Sequence, residues 1–558
     1  MIAYRHVTTF GVTQQRWLSS ITDLVIAEVG GELTLLAATQ VGGGLSSYRL
    51  SGAGTAITAL RTRAYSSSAT FQGDPELHLL DVAGSPMVHL GSLGGAADQA
   101  VGLQPSNGAL TAFGRLFGTD LGERLTALGQ VATAGGTVVF SASGDGLVLQ
   151  THRMDADGRL TVADSATLPV PAGSTDAHLD HVLAAEVEGR TVLIAASGNG
   201  NFLSTHLMSA TGRLSGGQVY SAANGAGFDL PSAMVVVQFA DAGFVVLGGA
   251  GSNSLSVFAI GADGTIARAD HVLDEGGTRF QSVTALESVV IGDRAFLFAG
   301  GADDGITVLT MLPDGRLVHL ATIADTDAMT LADVSDIAAV VVDGQISVVV
   351  ASSSEAGLTQ FVFDPGTLGV TRIAGAGTVS GGASNDILQA SGATTRLNGG
   401  GGRRHPGGGG PRAGPAWRRR CRHLHADQHR GPDHHPGLPQ GDRHAGFFAA
   451  GQCPQHLADE LRAHPDRHPD HLGRDDPGHH RRRRAFPAGF GFRQRDVPPG
   501  PLRPARGGSR QDRPRRYALG RGKLDLRDRR ERPAAGGRGA RKDRGGGRER
   551  HGDGWGRA

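Results

Sequence analysis

The sequence predicts an all-β protein built on a seven-bladed β-propeller over residues ~1–377. Three observations predict it. A turn glycine recurs at Gly54, Gly108, Gly158, Gly212, Gly264, Gly315 and Gly366, with successive spacings of 54, 50, 54, 52, 51 and 51 residues. About twelve residues before such a glycine lies a second turn, as in Ser143-Gly144-Asp145-Gly146 and Ser197-Gly198-Asn199-Gly200. Before that turn comes a short apolar run. Strands punctuated by Asp-Gly or Asn-Gly turns are hairpin signals, and a period near fifty residues with about four strands per unit fits a propeller blade. No window sustains apolar residues at helical spacing, and glycine recurs too often for helices.

The repeats follow in order. The clearest turn copies read HRMDADGRLTV, HLMSATGRLSG, FAIGADGTIAR and TMLPDGRLVHL. The apolar runs are Thr137–Phe140, Val192–Ala196, Phe244–Leu247, Ala295–Phe298 and Ser347–Val350. Ala195, Ala196, Gly248, Gly249, Ala299 and Gly300 end them with small residues, which suits strands crowded around a central axis, so these runs are expected to be innermost. Closure of the ring calls for a strand near Ala3–Thr9 beside Gly369–Ile373. The blade pattern resembles lactonase-like and WD-type propellers, with the WD dipeptide missing, which favours the lactonase-like side as an analogy of fold.

Chemistry is hard to place in this region. There is no G-x-S-x-G, Walker lysine or H-E-x-x-H motif, and lysine is absent before residue 403, which excludes a lysine nucleophile there. His178 and His181 flank Asp180, but no third metal ligand is evident, and the segment reads as a solvated loop before a strand. His152 and His206 hold equivalent places in their repeats, which predicts equivalent packing. The acidic residues read as turn formers.

Residues 378–402 change character. Gly381-Gly382-Ala383-Ser384-Asn385-Asp386-Ile387-Leu388-Gln389 follows the nonapeptide G-G-x-G-x-D-x-U-x except at Ser384. Its glycines turn backbone carbonyls inward and its Asp adds a carboxylate, an oxygen environment suited to Ca²⁺. Here the chain resembles the haemolysin-type (RTX) calcium-binding repeat proteins of bacteria. The resemblance implies the start of a parallel β-roll, Ca²⁺ as cofactor, Gly382, Ser384, Asn385 and Asp386 at the metal, and an extracellular protein exported by type I secretion. The next nonapeptide keeps Leu397 but has Thr395 where Asp is expected, so a complete site is not expected.

Residues 403–558 break with everything before them. They contain no Ile, Thr, Met or Asn, and the charge turns over from net −19 in 1–402 to net +20, which sum to the whole-chain +1. Such a composition predicts a disordered tail. It is also what a GC-rich gene yields out of frame. Shifted by one base, Gly402–Pro406 can encode ADAIL, Gly437–Gly446 can encode DFRKGIDTLD, and Lys523–Ala535 can encode SWIYGTAGNDRLQ, restoring a calcium-type repeat. The Cys421, His423 and His425 spacing matches no zinc site. Arg481–Arg484 without stacking aromatics predicts no specific nucleic-acid partner. Both cysteines lie in this tail, no cleavable signal peptide opens the chain, and no apolar run predicts a membrane span.

Two functions follow from these observations. The leading expectation is a secreted calcium-binding repeat protein whose propeller head binds a polymer or protein partner, more an interaction module than an enzyme. The alternative is a propeller enzyme of lactonase or hydrolase type, which a cluster of His, Asp or Glu at one end of the channel would reveal.

Overall fold

The computed structural model describes residues 2–398 and Leu424–His425, apart from positions 12, 15, 41–42, 66–69, 72, 95–99, 105–108, 115–120, 122–123, 170–176, 222–224, 241 and 392–393. Seven four-stranded antiparallel sheets follow one another along the chain. Blade 1 spans Ile21–Ala64, blade 2 Leu77–Gly114, blade 3 Leu125–Thr167 and blade 4 His181–Ser221. Blade 5 spans Pro231–Leu273 and blade 6 Ala285–Ala324. Blade 7 takes three strands from Val334–Asp364 and its fourth from Ala3–Gly11. The predicted seven-bladed propeller is the observed fold.

The first strand of each blade touches the first strands of both neighbours, so these seven strands form a closed ring around the axis. This corrects the expected order, in which the apolar small-residue runs were innermost. Those runs are the second strands, for example Arg190–Ser197, Gly243–Gly249 and Gln345–Ser352, buried along almost their whole length. The reason is geometric. A second strand is paired on both edges and covered on both faces by adjacent blades, whereas a first strand opens one edge to the channel. Near-continuous apolar sequence therefore marks the second position. Seven separate hydrophobic cores fill the seven seams between blades.

Gly54, Gly158, Gly212, Gly264 and Gly315 each lie in the turn from the third strand of a blade to its fourth. Gly315 sits at φ +87°, and a Cβ there would lie 2.7 Å from both Ala269 and Phe244. Gly212, at φ +84°, presents its carbonyl to the Thr151 hydroxyl of the preceding blade at 2.6 Å. Only glycine satisfies both the left-handed backbone and the close approach. His152 and His206 are buried at matching positions of their third strands, as the repeat predicts.

Closure uses the N-terminal strand as expected, but with a different partner. Ala3–Gly11 pairs antiparallel with Gly357–Asp364, from Ala3↔Asp364 to Gly11↔Gly357. The strand after the seventh turn glycine, Leu368–Ile373, leaves the blade and begins a parallel coil instead. It pairs with Asn385–Gln389, and Gly377–Ser380 pairs with Thr394–Asn398, again parallel. Val379 and its partner Leu397 stand eighteen residues apart, the length of two nonapeptides, whereas Thr371 and its partner Ile387 stand sixteen apart. Parallel pairing, the pattern expected of a β-roll, is thus present in two short pairs and involves residues before 378. The predicted disordered tail lies outside the described residues, save Leu424–His425, which pair parallel with Leu388–Gln389.

Candidate active site

The site emerges from comparing how the seven innermost strands begin. Sheet register aligns them as Ile21-Thr22-Asp23-Leu24, Pro75-Glu76-Leu77-His78, Leu125-Thr126-Ala127-Leu128, Leu179-Asp180-His181-Val182, Pro231-Ser232-Ala233-Met234, Val283-Thr284-Ala285-Leu286 and Val334-Ser335-Asp336-Ile337. The second place belongs to a hydroxyl for a structural reason. Thr22 donates to the Pro75 carbonyl at 2.7 Å and Ser232 to the Val283 carbonyl at 2.5 Å. Thr126 and Thr284 donate likewise to the carbonyls of Leu179 and Val334. Each bond stitches one blade to the next. The third and fourth places are otherwise apolar.

Six residues break this pattern: Glu76 and Asp180 at the second place, Asp23, His181 and Asp336 at the third, and His78 at the fourth. All six line one cavity of about 790 Å³ at the end of the channel where the innermost strands begin. A packed repeat has no structural need of them, because the other blades do the same packing with Thr, Ser, Ala, Leu and Val.

Their electrostatics pull in opposite directions. Burial raises the Glu76 carboxyl well above the usual carboxylate range, and the nearby charges of Asp23, Asp180 and Asp74 raise it further. Two residues along the same strand, burial pushes His78 down to about 4, with His181 adding to the shift. The His78 Nε2 atom is buried without a hydrogen bond, 3.8 Å from the Glu76 carboxyl. Asp23 and Asp336 are hydrogen-bonded carboxyl to carboxyl, and burial raises both. Both also clip neighbouring blades, since Leu24 N–H donates to Asp336 at 2.6 Å and Leu77 N–H to Asp23 at 2.5 Å. Asp180 accepts from Gly198 N–H at 2.6 Å and faces His178 at 2.9 Å. Burial lowers His181. Glu287, on the blade 6 inner strand, is pushed up to about 7, chiefly by burial.

Asp180 and His181 were read from sequence as part of a solvated loop, and the other carboxylates as turn formers. The structure places them instead in the channel wall. Among the described residues no three His, Cys, Asp or Glu side chains are arranged to hold a metal ion.

The four residues expected at calcium lie together in one turn of the parallel coil, away from the channel. Both Asp386 oxygens accept backbone N–H groups, from Val370 at 3.0 Å and Gly382 at 2.6 Å. The Asn385 side chain donates to the Pro365 carbonyl at 2.9 Å. Ca²⁺ requires about six to eight oxygens. This turn supplies one carboxylate, held by donors rather than joined by further oxygens, and so does not fit a calcium site by itself.

No protein-family model matches the chain, and no curated protein does. Solved structures with a similar fold include the periplasmic gluconolactonase of Pseudomonas aeruginosa, 17% identical with a TM-score of 0.41, covering 58% of this chain and 93% of that one. A putative 6-phosphogluconolactonase from Bacteroides uniformis is 12% identical with a TM-score of 0.40, covering 57% and 91%. A Lactobacillus plantarum protein is 15% identical with a TM-score of 0.41, covering 58% and 96%. The likeness is one of fold.

Proposed function

We propose that the channel cluster is the active site of a hydrolase acting on a small polar ester, a lactone being the simplest form. The observation that carries this reading is the replacement of six structural residues by ionisable ones at one end of one cavity. Environments that push neighbouring titratable groups apart assign acid and base roles. His78, kept neutral with an unbonded Nε2, takes a proton from water as it attacks the ester carbonyl. Glu76, kept protonated, gives its proton to the departing ring oxygen. The carbon–oxygen bond of the ring breaks, a hydroxy acid results, and the site is restored once the His78 proton returns to Glu76. Asp23 and Asp336 fix the flanking strands that hold this pair.

Hydrolysis of a lactone panel, followed by base uptake at constant pH, tests the reading. Folded His78→Leu and Glu76→Thr variants should each lose about 100-fold or more in kcat, the usual range for one general acid or base. Hydrolysis by both variants at the parent rate would refute it.

A second reading concerns the C-terminal coil. We infer calcium-roll ancestry, supported by the nonapeptide Gly381–Gln389 and by parallel pairing on either side of it, at an eighteen-residue spacing in one of the two pairs. Calcium binding and export to the extracellular space are proposed for the frame-restored protein. Metal titration of that protein, with β structure followed by circular dichroism, tests it, because metal binding and folding are coupled.

A further inference from the structure

The polar lining of the channel cavity is one-sided. Six carboxyl groups reach it, from Asp23, Asp74, Glu76, Asp180, Asp333 and Asp336, and not one Arg or Lys does. Phosphate and carboxylate ligands are recognised by guanidinium, ammonium or converging N–H donors. Here the N–H groups near the cluster are already spent, as Leu24, Leu77 and Gly198 donate theirs to Asp336, Asp23 and Asp180. The stitching hydroxyls of Thr22 and Ser232 donate to backbone carbonyls. Ser20, Gln40 and Ser335 also line the cavity and can donate, so what the wall offers a ligand is neutral donors beside an excess of acidic groups, and no cation.

An acceptor-rich wall selects a donor-rich ligand. Carboxylates bind hydroxyl groups well, and a ring bearing several O–H groups satisfies several of them at once. An anion brought against a wall with no Arg or Lys has no counter-charge to meet, and any carboxylate there that keeps its charge repels it. A cationic amine has less to gain than the count of acids suggests, because Asp23 and Asp336 are hydrogen-bonded to each other and hold a proton between them. The cavity volume falls within the range of small-molecule sites.

We propose that the cavity takes an uncharged, hydroxyl-rich ring and excludes its phosphorylated and carboxylated counterparts. This rests on the hydrolase reading for the reaction but on the cavity wall alone for the ligand class. The specificity comes from missing cations, so it is achieved by repulsion of the wrong ligand.

The test uses the full chain and three matched sugar lactones: neutral, phosphorylated at an exocyclic hydroxyl, and bearing an amino group. Expected is a kcat/KM for the neutral lactone at least about 100-fold above that for the phosphate, with the amine in between. The Asp180→Asn, Asp333→Asn double variant should narrow the neutral-to-phosphate ratio. Ligand-observed NMR with the corresponding open-chain polyol, its phosphate and its amine reads the same preference without turnover. A neutral preference in binding with no hydrolysis of any lactone would remove the hydrolase reading and leave the ligand class standing. Equal or better use of the phosphate, a preference for the amine, or no binding by any of the three would overturn the inference.

Discussion

Returning Glu76 to the residue its place in the repeat calls for should make the protein more stable and less active. Threonine at that place in blade 1 bonds the next blade's carbonyl at 2.7 Å. In Glu76→Thr the new hydroxyl faces the carbonyl of Leu125, which already accepts Ser92 N–H at 3.0 Å and retains a second lone pair. One added hydrogen bond contributes about 1 kcal/mol. A second gain depends on pH. Glu76 is raised in the folded state, so it is neutral in both states below the unfolded value of 4.5 and costs stability as pH rises above it. Removing it should therefore stabilise more at pH 8 than at pH 4. The unfolding entropy, about 2.1 cal/mol/K per residue, gives ~0.8 kcal/mol/K for a propeller of this size, so the hydrogen bond alone lifts Tm by about 1 °C and the pH-dependent part adds to it. Scanning calorimetry at the two pH values, beside the lactone assay, reads both effects. A variant less stable than the parent at pH 8, or one that keeps full activity, would refute the argument that Glu76 is held against the structural preference of the fold.

Three more outcomes are expected. Deleting residues 1–12 strips the eight-pair ladder from Gly357–Asp364 and the buried side chains Ile2 and Phe10, each worth about 1.5–3 kcal/mol. With the ladder bonds that loss rivals the whole stability of a typical domain, so circular dichroism should show no cooperative melt, and an unchanged melt would argue against N-terminal closure. Glu287→Gln keeps an oxygen for Ser288 N–H but removes a carboxyl pushed up to about 7 from an ordinary 4.5. Its stabilisation should be absent at pH 4 and grow to about 3 kcal/mol by pH 8, and a pH-independent difference in denaturant titrations would contradict it. Calorimetry on the chain as written should detect no Ca²⁺ binding tighter than about millimolar, and tight binding abolished in Asp386→Ala would show that the single turn suffices.

The repeat was legible because its causes are local. Residues such as Ala83, Glu188 and Asp343 tolerate φ near +50°, but the turns at Gly158, Gly212, Gly264 and Gly315 stand near +80° beside a neighbouring blade, so glycine recurs there and announces these blades one by one. Strand order within a blade was not local. Val192–Ala196 is apolar because two neighbouring blades cover it, and no residue within that run distinguishes this from crowding at an axis. The partner of the N-terminal strand escaped for a related reason. Gly366 repeats the turn signal, yet the strand after it carries Thr371, whose N–H donates to Asp293 at 3.0 Å, and leads to Ile387, which packs on Leu312 and Val318 of blade 6. Those contacts hold the strand in the coil and leave the fourth place of blade 7 to Ala3–Gly11.

The channel site escaped for the opposite reason. Periodicity is found by looking for sameness, and the site is made of departures from it. Thr22, Thr126, Ser232 and Thr284 define a hydroxyl place whose bonds stitch four seams of the ring, so a carboxylate at Glu76 or Asp180 gives up one such stitch. A repeat retains its own consensus where nothing but packing acts on it. Where six departures lie in different blades but line one cavity, the fold has been made locally worse at positions that share only their access to the same solvent-filled space. That convergence, visible once the registers are aligned, distinguishes the cluster from scattered surface charge, and it is the ground on which the proposed hydrolase chemistry is assigned to the channel.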